Sequence, residues 1–345
     1  MAAGSLNRVI EIEFTPEDVA RTRFAISPLW EVVASVRVLK GADEQGIHRV
    51  WSEQVRDRLA AAKVDLTPLT DLIPVPTLAL AGFLAPPPTT PLTSLEVELA
   101  ALRATPPELL RTSSAITPER IAEIRADPDR ELGRLAETIR AYWEVALAPY
   151  WPRVLAFLEG DILFRAGRLV EGGARGLFND LDPQVAWDAG TLQVRTRFCR
   201  DRRTLGGRGL LLVPSAFVWP RVFSVLDGRW QPTLRYPPRG IGTLWSPAPA
   251  PTAVPDALAG VLGRSRATLV AELTTPASTT DLARRTGLSP GGVSQHLSAL
   301  RAAGLVGAHR AGRVVLYART RAAETLLAAA GSAQGGSSNP ADFAA

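Results

Sequence analysis

Between Leu282 and Val306 the chain runs Leu282-Ala-Arg-Arg-Thr-Gly-Leu-Ser-Pro-Gly-Gly-Val-Ser-Gln-His-Leu-Ser-Ala-Leu-Arg-Ala-Ala-Gly-Leu-Val306. Thr279–Thr286 reads as a short helix with a hydroxyl residue available as its cap and Gly287 just past its end. Ser289 caps a second helix, with Pro290 in its first turn. Two helices joined by a three- or four-residue turn that holds Gly make a helix-turn-helix. At about 100° per residue, Val293, Leu297 and Leu300 share one side of the second helix and must pack on the domain. Gly291, Ser294, Gln295, Ser298 and Ala302 lie opposite, small and polar as a major-groove face has to be, with Arg301 at the edge. The side-chain amide of Gln295 suits an adenine edge, and Ser289, Ser294 and Ser298 suit bases or phosphates. Gly291 and Gly292 either let first-turn N–H groups approach a phosphate or only loosen the helix start. His296 lies on the flank between core and groove, which fits a partly buried histidine better than a base contact.

Downstream, Leu305–Arg310 and Arg313–Tyr317 read as two short strands across Ala311-Gly312, a hairpin with Arg310 and Arg313 at its shoulders. Upstream, Ala257–Gly263 and Ala267–Leu273 are apolar periodic segments. Helices, turn and basic hairpin together resemble the ArsR-type winged-helix transcription regulators over roughly residues 254–330. The resemblance implies double-stranded DNA as partner, with the helix 289–303 and the wing 309–317 as the reading elements. It also implies a homodimer, formed through the first and last helices of the domain, on a palindromic operator. Many such regulators sense metals through paired Cys on the first helix of the motif or His and acids on the last. Here those places hold Thr279-Thr280-Asp281-Leu282 and the Ala-rich Arg321–Ala330, so no metal and no cofactor is expected. A long front domain ahead of such a module resembles a group of actinobacterial regulators whose front domain has no established function.

Charge agrees with that division. Residues 256–345 carry nine Arg against five acids, while the rest of the chain is nearly balanced at 30 basic and 29 acidic side chains. The basic excess therefore sits in one quarter of the chain, as a polyanion partner requires. The run Ser246-Pro-Ala-Pro-Ala-Pro-Thr-Ala-Val-Pro255 cannot continue a helix or a central strand and reads as a linker, 246–255. The expected order is an α+β domain over 1–245 as sensor and dimerisation unit, this linker, the winged helix over 256–330, and a disordered tail over 331–345.

The front domain reads as mainly helical, then β. Arg8–Phe14 alternates as a strand, Thr15-Pro16 and Ser27-Pro28 open helices, and Leu29, Val32, Val33, Val36 and Leu39 form one stripe. Val50, Val55 and Leu59 mark a third helix and Thr117-Pro118 a fourth. A long helical stretch over 129–169 breaks near Pro149 and Pro152. Period two then sets in at Val185–Trp187, Leu192–Thr196 and Gly209–Val213.

Composition, 46% hydrophobic and 21% charged over 345 residues, is that of a globular chain with room for two cores. The absence of a twenty-residue apolar run argues against a membrane span, and the acidic opening strand against a secretory leader, so a cytoplasmic place is expected. One cysteine excludes an internal disulfide, and His48, His296 and His309 lack metal-ligand spacing. Glu171–Gly176 and Gly206–Gly209 read as glycine turns rather than phosphate loops, and Ser215, Ser224 and His48 form no recognisable catalytic set. Cys199, among Arg197, Arg200, Arg202 and Arg203, reads as structural, with a redox-sensing thiol as the alternative. All eight Trp lie in the front domain and read as core, although with the apolar stretch from Leu72 they could line a pocket for a small apolar ligand. The functional expectation is a DNA-binding regulator, a repressor under a non-metal signal. The alternatives are a constitutive or architectural DNA-binding protein and an enzyme fused to a DNA-binding domain.

Overall fold

The computed structural model describes residues 8–43, 45–76, 80–110, 116–196, 200–245, 256–274, 276–311 and 314–334. For 256, 257, 309–311, 314, 321, 328 and 331–334 it describes the backbone alone. The expected linker, Arg197, Cys199, Gly312, Arg313 and the end of the expected tail lie outside the described residues. The chain divides into two compact units, Met1–Trp245 and Ser246–Ala345.

The first unit opens with β1 (Arg8–Glu13), α1 (Pro16–Ala20), β2 (Arg23–Phe24) and α2 (Pro28–Arg37), followed by a π turn over Val38–Ala42. The caps form where hydroxyl residues precede proline: Asp18 N–H donates to Thr15 Oγ1 at 3.1 Å, and Thr15 N–H to the Asp18 carboxylate at 3.0 Å. Then come α3 (Arg49–Ala62), α4 (Thr67–Thr70), α5 (Leu95–Arg103), α6 (Pro118–Ala126), α7 (Pro128–Ala146) and α8 (Trp151–Phe178). The break between α7 and α8 is a short 3-10 turn, Ala148–Tyr150, around Pro149. Six strands close the unit: β3 (Val185–Asp188), β4 (Thr191–Thr196), β5 (Asp201–Thr204), β6 (Leu211–Pro214), β7 (Phe223–Val225) and β8 (Thr233–Tyr236).

These strands make two sheets, ordered β3-β4-β1-β5 and β2-β6-β8-β7. The second is sandwiched. Leu211 and Val213 of β6 face the large helical core, built on α2, α3, α5 and α7, while Leu212 and Leu234 face a smaller core shared with β1 and β4. A strand covered on both sides reads as a continuous apolar run, which is why Leu210–Val213 does not alternate. Between β5 and β6 the turn at Gly206–Gly209 is drawn tight. Gly209 has φ +68°, and a Cβ there would fall 2.6 Å from the backbone of Arg21, so only glycine fits.

Two readings of the sequence are corrected. Glu171–Gly176 is not a turn between elements: α8 runs through it to Phe178, broken at Gly173 with φ +57°. The apolar stripe of the second helix understates its burial, for every residue of α2 is buried, Glu31, Ser35 and Arg37 included. The polar members survive there because they have partners: Glu31 accepts from Ala216 N–H at 3.1 Å, and Ser35 Oγ lies 2.9 Å from Tyr142 Oη.

The second unit comprises α9 (Asp256–Leu262), α10 (Arg264–Glu272), β9 (Ala277–Ser278), α11 (Thr279–Thr286), α12 (Pro290–Ala302), β10 (Val306–Ala311), β11 (Val314–Arg319) and α13 (Arg321–Gln334). It has its own core, centred on Leu269, Leu282, Val293, Leu297, Leu300 and Val306. The molecule is thus α+β in front, helical and then β, with a winged helix-turn-helix behind. The last helix continues to Gln334, into the span 331–345 that was expected as a tail.

Candidate nucleic-acid interface

The helix-turn-helix is held by its caps. Ser278 Oγ accepts from Asp281 N–H at 3.1 Å and donates to the Asp281 carboxylate at 2.7 Å, which starts α11. Gly287, at φ +72°, ends it, its N–H bonded to Ala283 O at 2.9 Å. Ser289 Oγ then accepts from Gly292 N–H at 3.2 Å and starts α12.

Along α12 the buried side chains are Val293, Leu297 and Leu300, packed with Leu282 and Leu269. Gly291, Ser294, Gln295, Ser298, Arg301 and Ala302 are exposed, Gly292 and His296 half-buried. The structure therefore brings the exposed positions to one side of a helix whose other side is fixed in the core. Three details bear on what that face can do. Ser298 Oγ donates to Ser294 O at 2.9 Å, so its hydroxyl meets a partner as an acceptor unless that bond breaks. A Cβ on Gly292 would stand 3.2 Å from Ser289 Oγ, which ties this glycine to the cap. A Cβ on Gly291 would meet nothing within 4 Å, and no described residue accepts its N–H. With Pro290 lacking an N–H and Gly292 bonded to the cap, Gly291 offers the open donor at the positive end of the helix dipole.

The wing follows directly. β10 and β11 pair antiparallel from Val306↔Arg319 to Ala311↔Val314, and β11 also pairs with β9 through Leu316↔Ser278 and Tyr317↔Ala277. The helix-turn-helix and the wing are thus joined by one three-stranded sheet, β10-β11-β9. Arg310 lies in β10, with its side chain outside the described set, and Arg313 sits wholly outside it.

Sequence reading missed the residue that anchors this wing. Arg319 Nε donates to Val270 O at 2.6 Å and Nη2 to Ala271 O, capping the C-terminus of α10 from the base of β11. Burial lowers its pKa, the mark of a cation built into the domain rather than offered to a partner. Its cue in the sequence was faint: an Arg closing an apolar strand instead of sitting at the hairpin tip. Arg284 is likewise engaged, 3.0 Å from Asp281, though exposed.

In the front unit several of the remaining candidates are packed in the core. His48 is buried, accepts from Trp245 Nε1 at Nδ1 over 2.8 Å and packs on Phe217, and burial pushes its pKa down to about 4. Trp51 and Trp245 stack beside it, Trp143 packs on Trp151, and Trp187 on Phe14 and Phe178. Ser215 is buried. Arg202 pairs with Glu13, and Arg203 with Asp201 at 2.8 Å, so carboxylates engage two of the arginines near Cys199. Among the described residues no three His, Cys, Asp or Glu side chains gather as a metal site, and no helix is long and apolar enough to cross a membrane.

Comparison with known proteins agrees with the second unit's geometry. Residues 268–307, from α10 to the start of β10, match the family model described as bacterial regulatory protein, arsR family. Residues 118–241, from α6 past β8, match a family of unknown function, DUF5937. No curated protein and no solved structure matches the chain. The second unit thus carries an arsR-family helix-turn-helix domain, which supports a DNA-binding transcription regulator, behind a stretch matched by a family of unknown function, and the pair resembles an ArsR-type regulator with a long N-terminal domain.

Proposed function

We propose that the chain is a dimeric repressor that reads a palindromic operator with α12 and steadies itself on the flanking backbone with the wing, under control of a non-metal signal received by the front domain. The observation that carries this is the exposed row Gly291, Ser294, Gln295, Ser298 and Arg301, opposed on the same helix by Val293, Leu297 and Leu300 in the core. A helix so fixed presents a side chain with both an amide donor and an acceptor, Gln295, where a major-groove base edge would lie. Ser289 and the Gly291 N–H stand at the helix tip as phosphate contacts, with Arg310 and Arg313 in the same role at the wing. The shared wing sheet supports the division of labour, because β11 is held at its base by β9 and by the bonds of Arg319 to α10.

The test is to capture fragmented genomic DNA with the full-length protein and sequence what is bound. A shared palindromic site is expected. Gln295→Ala should weaken that site by about 1–3 kcal/mol and relax its sequence preference. Arg310→Ala and Arg313→Ala should weaken all DNA and reduce the salt dependence of binding by about one ion each. Enrichment without a common site would favour an architectural role. Wing substitutions that changed sequence preference, with helix substitutions that did not, would reverse the assignment of the two elements.

A further inference from the structure

Within the front unit lies an open cavity of about 470 Å³, lined by α2, the Leu80–Ala85 segment, β1 and β4 of one sheet and β7 and β8 of the other. That is the size range of small-molecule sites. Its walls are mixed, with Leu80, Trp219 and Phe223 on the apolar side and Gln184, Thr196 and Ser224 on the polar side. Its charged lining is of one sign: Arg195, Arg221 and Arg235 face it, and among the described residues no Asp or Glu does.

The cations are arranged along the rings. The Arg235 guanidinium lies 4.0 Å over the Trp30 ring, Trp30 packs on Phe223 at 5.5 Å, and Arg37 lies 4.6 Å over Phe223 from behind. Arg37 and Arg221 raise each other's potential, and burial together with that repulsion brings the Arg37 pKa down to about 10. Two donors on these lining side chains, Trp30 Nε1 and Arg235 Nε, are buried with no acceptor, while Arg235 Nη2 donates to Ala85 O. Buried donors are normally satisfied, and each one left open costs about 1–3 kcal/mol. Burial holds Glu31, beside Trp30, up to about 8 and Glu98, which faces Arg235, up to about 7.

A cleft with apolar side chains on its walls and charges of one sign only selects a ligand with an apolar body and an anionic head. We propose that this cavity is the effector site of the front domain and takes an organic anion, its body against Leu80, Trp219 and Phe223 and its carboxylate or phosphate head among Arg195, Arg221 and Arg235. The proposal names the signal for the regulatory reading and rests on that reading only for its consequence at the operator.

Binding is therefore measured first without DNA, by calorimetry and by quenching of tryptophan fluorescence in the full chain. The probes are decanoate, decyl phosphate, decanol and acetate. Saturation at one site per chain is expected for decanoate or decyl phosphate, whichever head fits, with decanol at least tenfold weaker and acetate silent. Ala42→Phe, which adds bulk at the lining without removing a charge, should abolish binding while leaving the circular dichroism spectrum unchanged. Arg221→Gln should weaken the anion at least tenfold and decanol little. Equal affinity for decanol and both anions, no saturable binding of any, or binding indifferent to Ala42→Phe in a folded variant would overturn the site. Saturable anion binding that left affinity for the captured operator unchanged would keep the site and overturn its role as the signal.

Discussion

At the residue scale the sharpest question falls on two adjacent glycines. Gly292 carries the N–H that the Ser289 cap accepts, and a side chain there would crowd the hydroxyl. Gly291 has open space around its Cα and an N–H with no described acceptor. Gly291→Ala should therefore leave the free protein as stable as before or raise its stability by up to about 1 kcal/mol, since alanine is the better helix former. The same change should weaken DNA binding about tenfold if a phosphate comes close to that backbone, because the new methyl would stand in its way. Thermal unfolding and fluorescence anisotropy on the captured operator check the two halves separately. Unchanged affinity would mean that Gly291 only loosens the helix start. The exposed row and the buried row of α12 were legible in the sequence, because a 3.6-residue period alone sorts them. What the period could not show is that Ser298 spends its hydrogen on Ser294 O and that Gly292 belongs to the cap, since both depend on rotamers and hydrogen bonds.

At the element scale the wing depends on a side chain outside its own hairpin turn. Arg319 bonds the last carbonyls of α10 and so holds β11, which in turn pairs with β9 just before α11. Arg319→Met keeps much of the apolar stem and removes both hydrogen bonds. It should destabilise the C-terminal unit by about 1–3 kcal/mol and weaken all DNA sequences together, without a change in preference. Chemical denaturation followed by hydrogen exchange at β11 checks the first part, and binding to operator and random duplexes the second. Weakening confined to the operator would instead make Arg319 a reader. Elements with a local signal, such as the capped helices at Thr15, Ser27, Thr117 and Ser289, were legible because the cap and proline chemistry is local. β2, β7 and β8 were not. They are two to four residues long, and β8, Thr233-Leu-Arg-Tyr236, carries an arginine in a strand buried throughout. Its strand character comes from parallel pairing with β6, and that partner lies some twenty residues away in sequence.

For the whole molecule, the front unit folds around ionisable groups that it keeps neutral, and that choice makes its stability depend on pH. Glu31 and Glu98 are pushed by burial to about 8 and about 7, far above the ordinary range of a glutamate, while burial takes His48 down to about 4. An acid whose pKa is raised by folding binds more protons in the native state than in the unfolded one, so its stabilising proton is lost as pH rises towards the folded value. A histidine with a lowered pKa acts in the other direction, but only between about 4 and its unfolded value near 6.5. Above pH 6.5 the carboxyls dominate, the histidine offsetting only about 0.4 kcal/mol. Between pH 6.5 and 8.5 the front unit should therefore lose about 3 kcal/mol, most of it through Glu31. Glu31→Gln keeps an acceptor for the Ala216 N–H and removes the titrating proton. The variant should lose only the smaller Glu98 share over the same interval. Urea denaturation of the full chain at the two pH values, followed by tryptophan fluorescence, reads this directly, because every Trp lies in the front unit. A wild-type stability that stayed flat from 6.5 to 8.5 would mean that Glu31 is already ionised in the fold, and the buried face of α2 would then need a cation close enough to hold it.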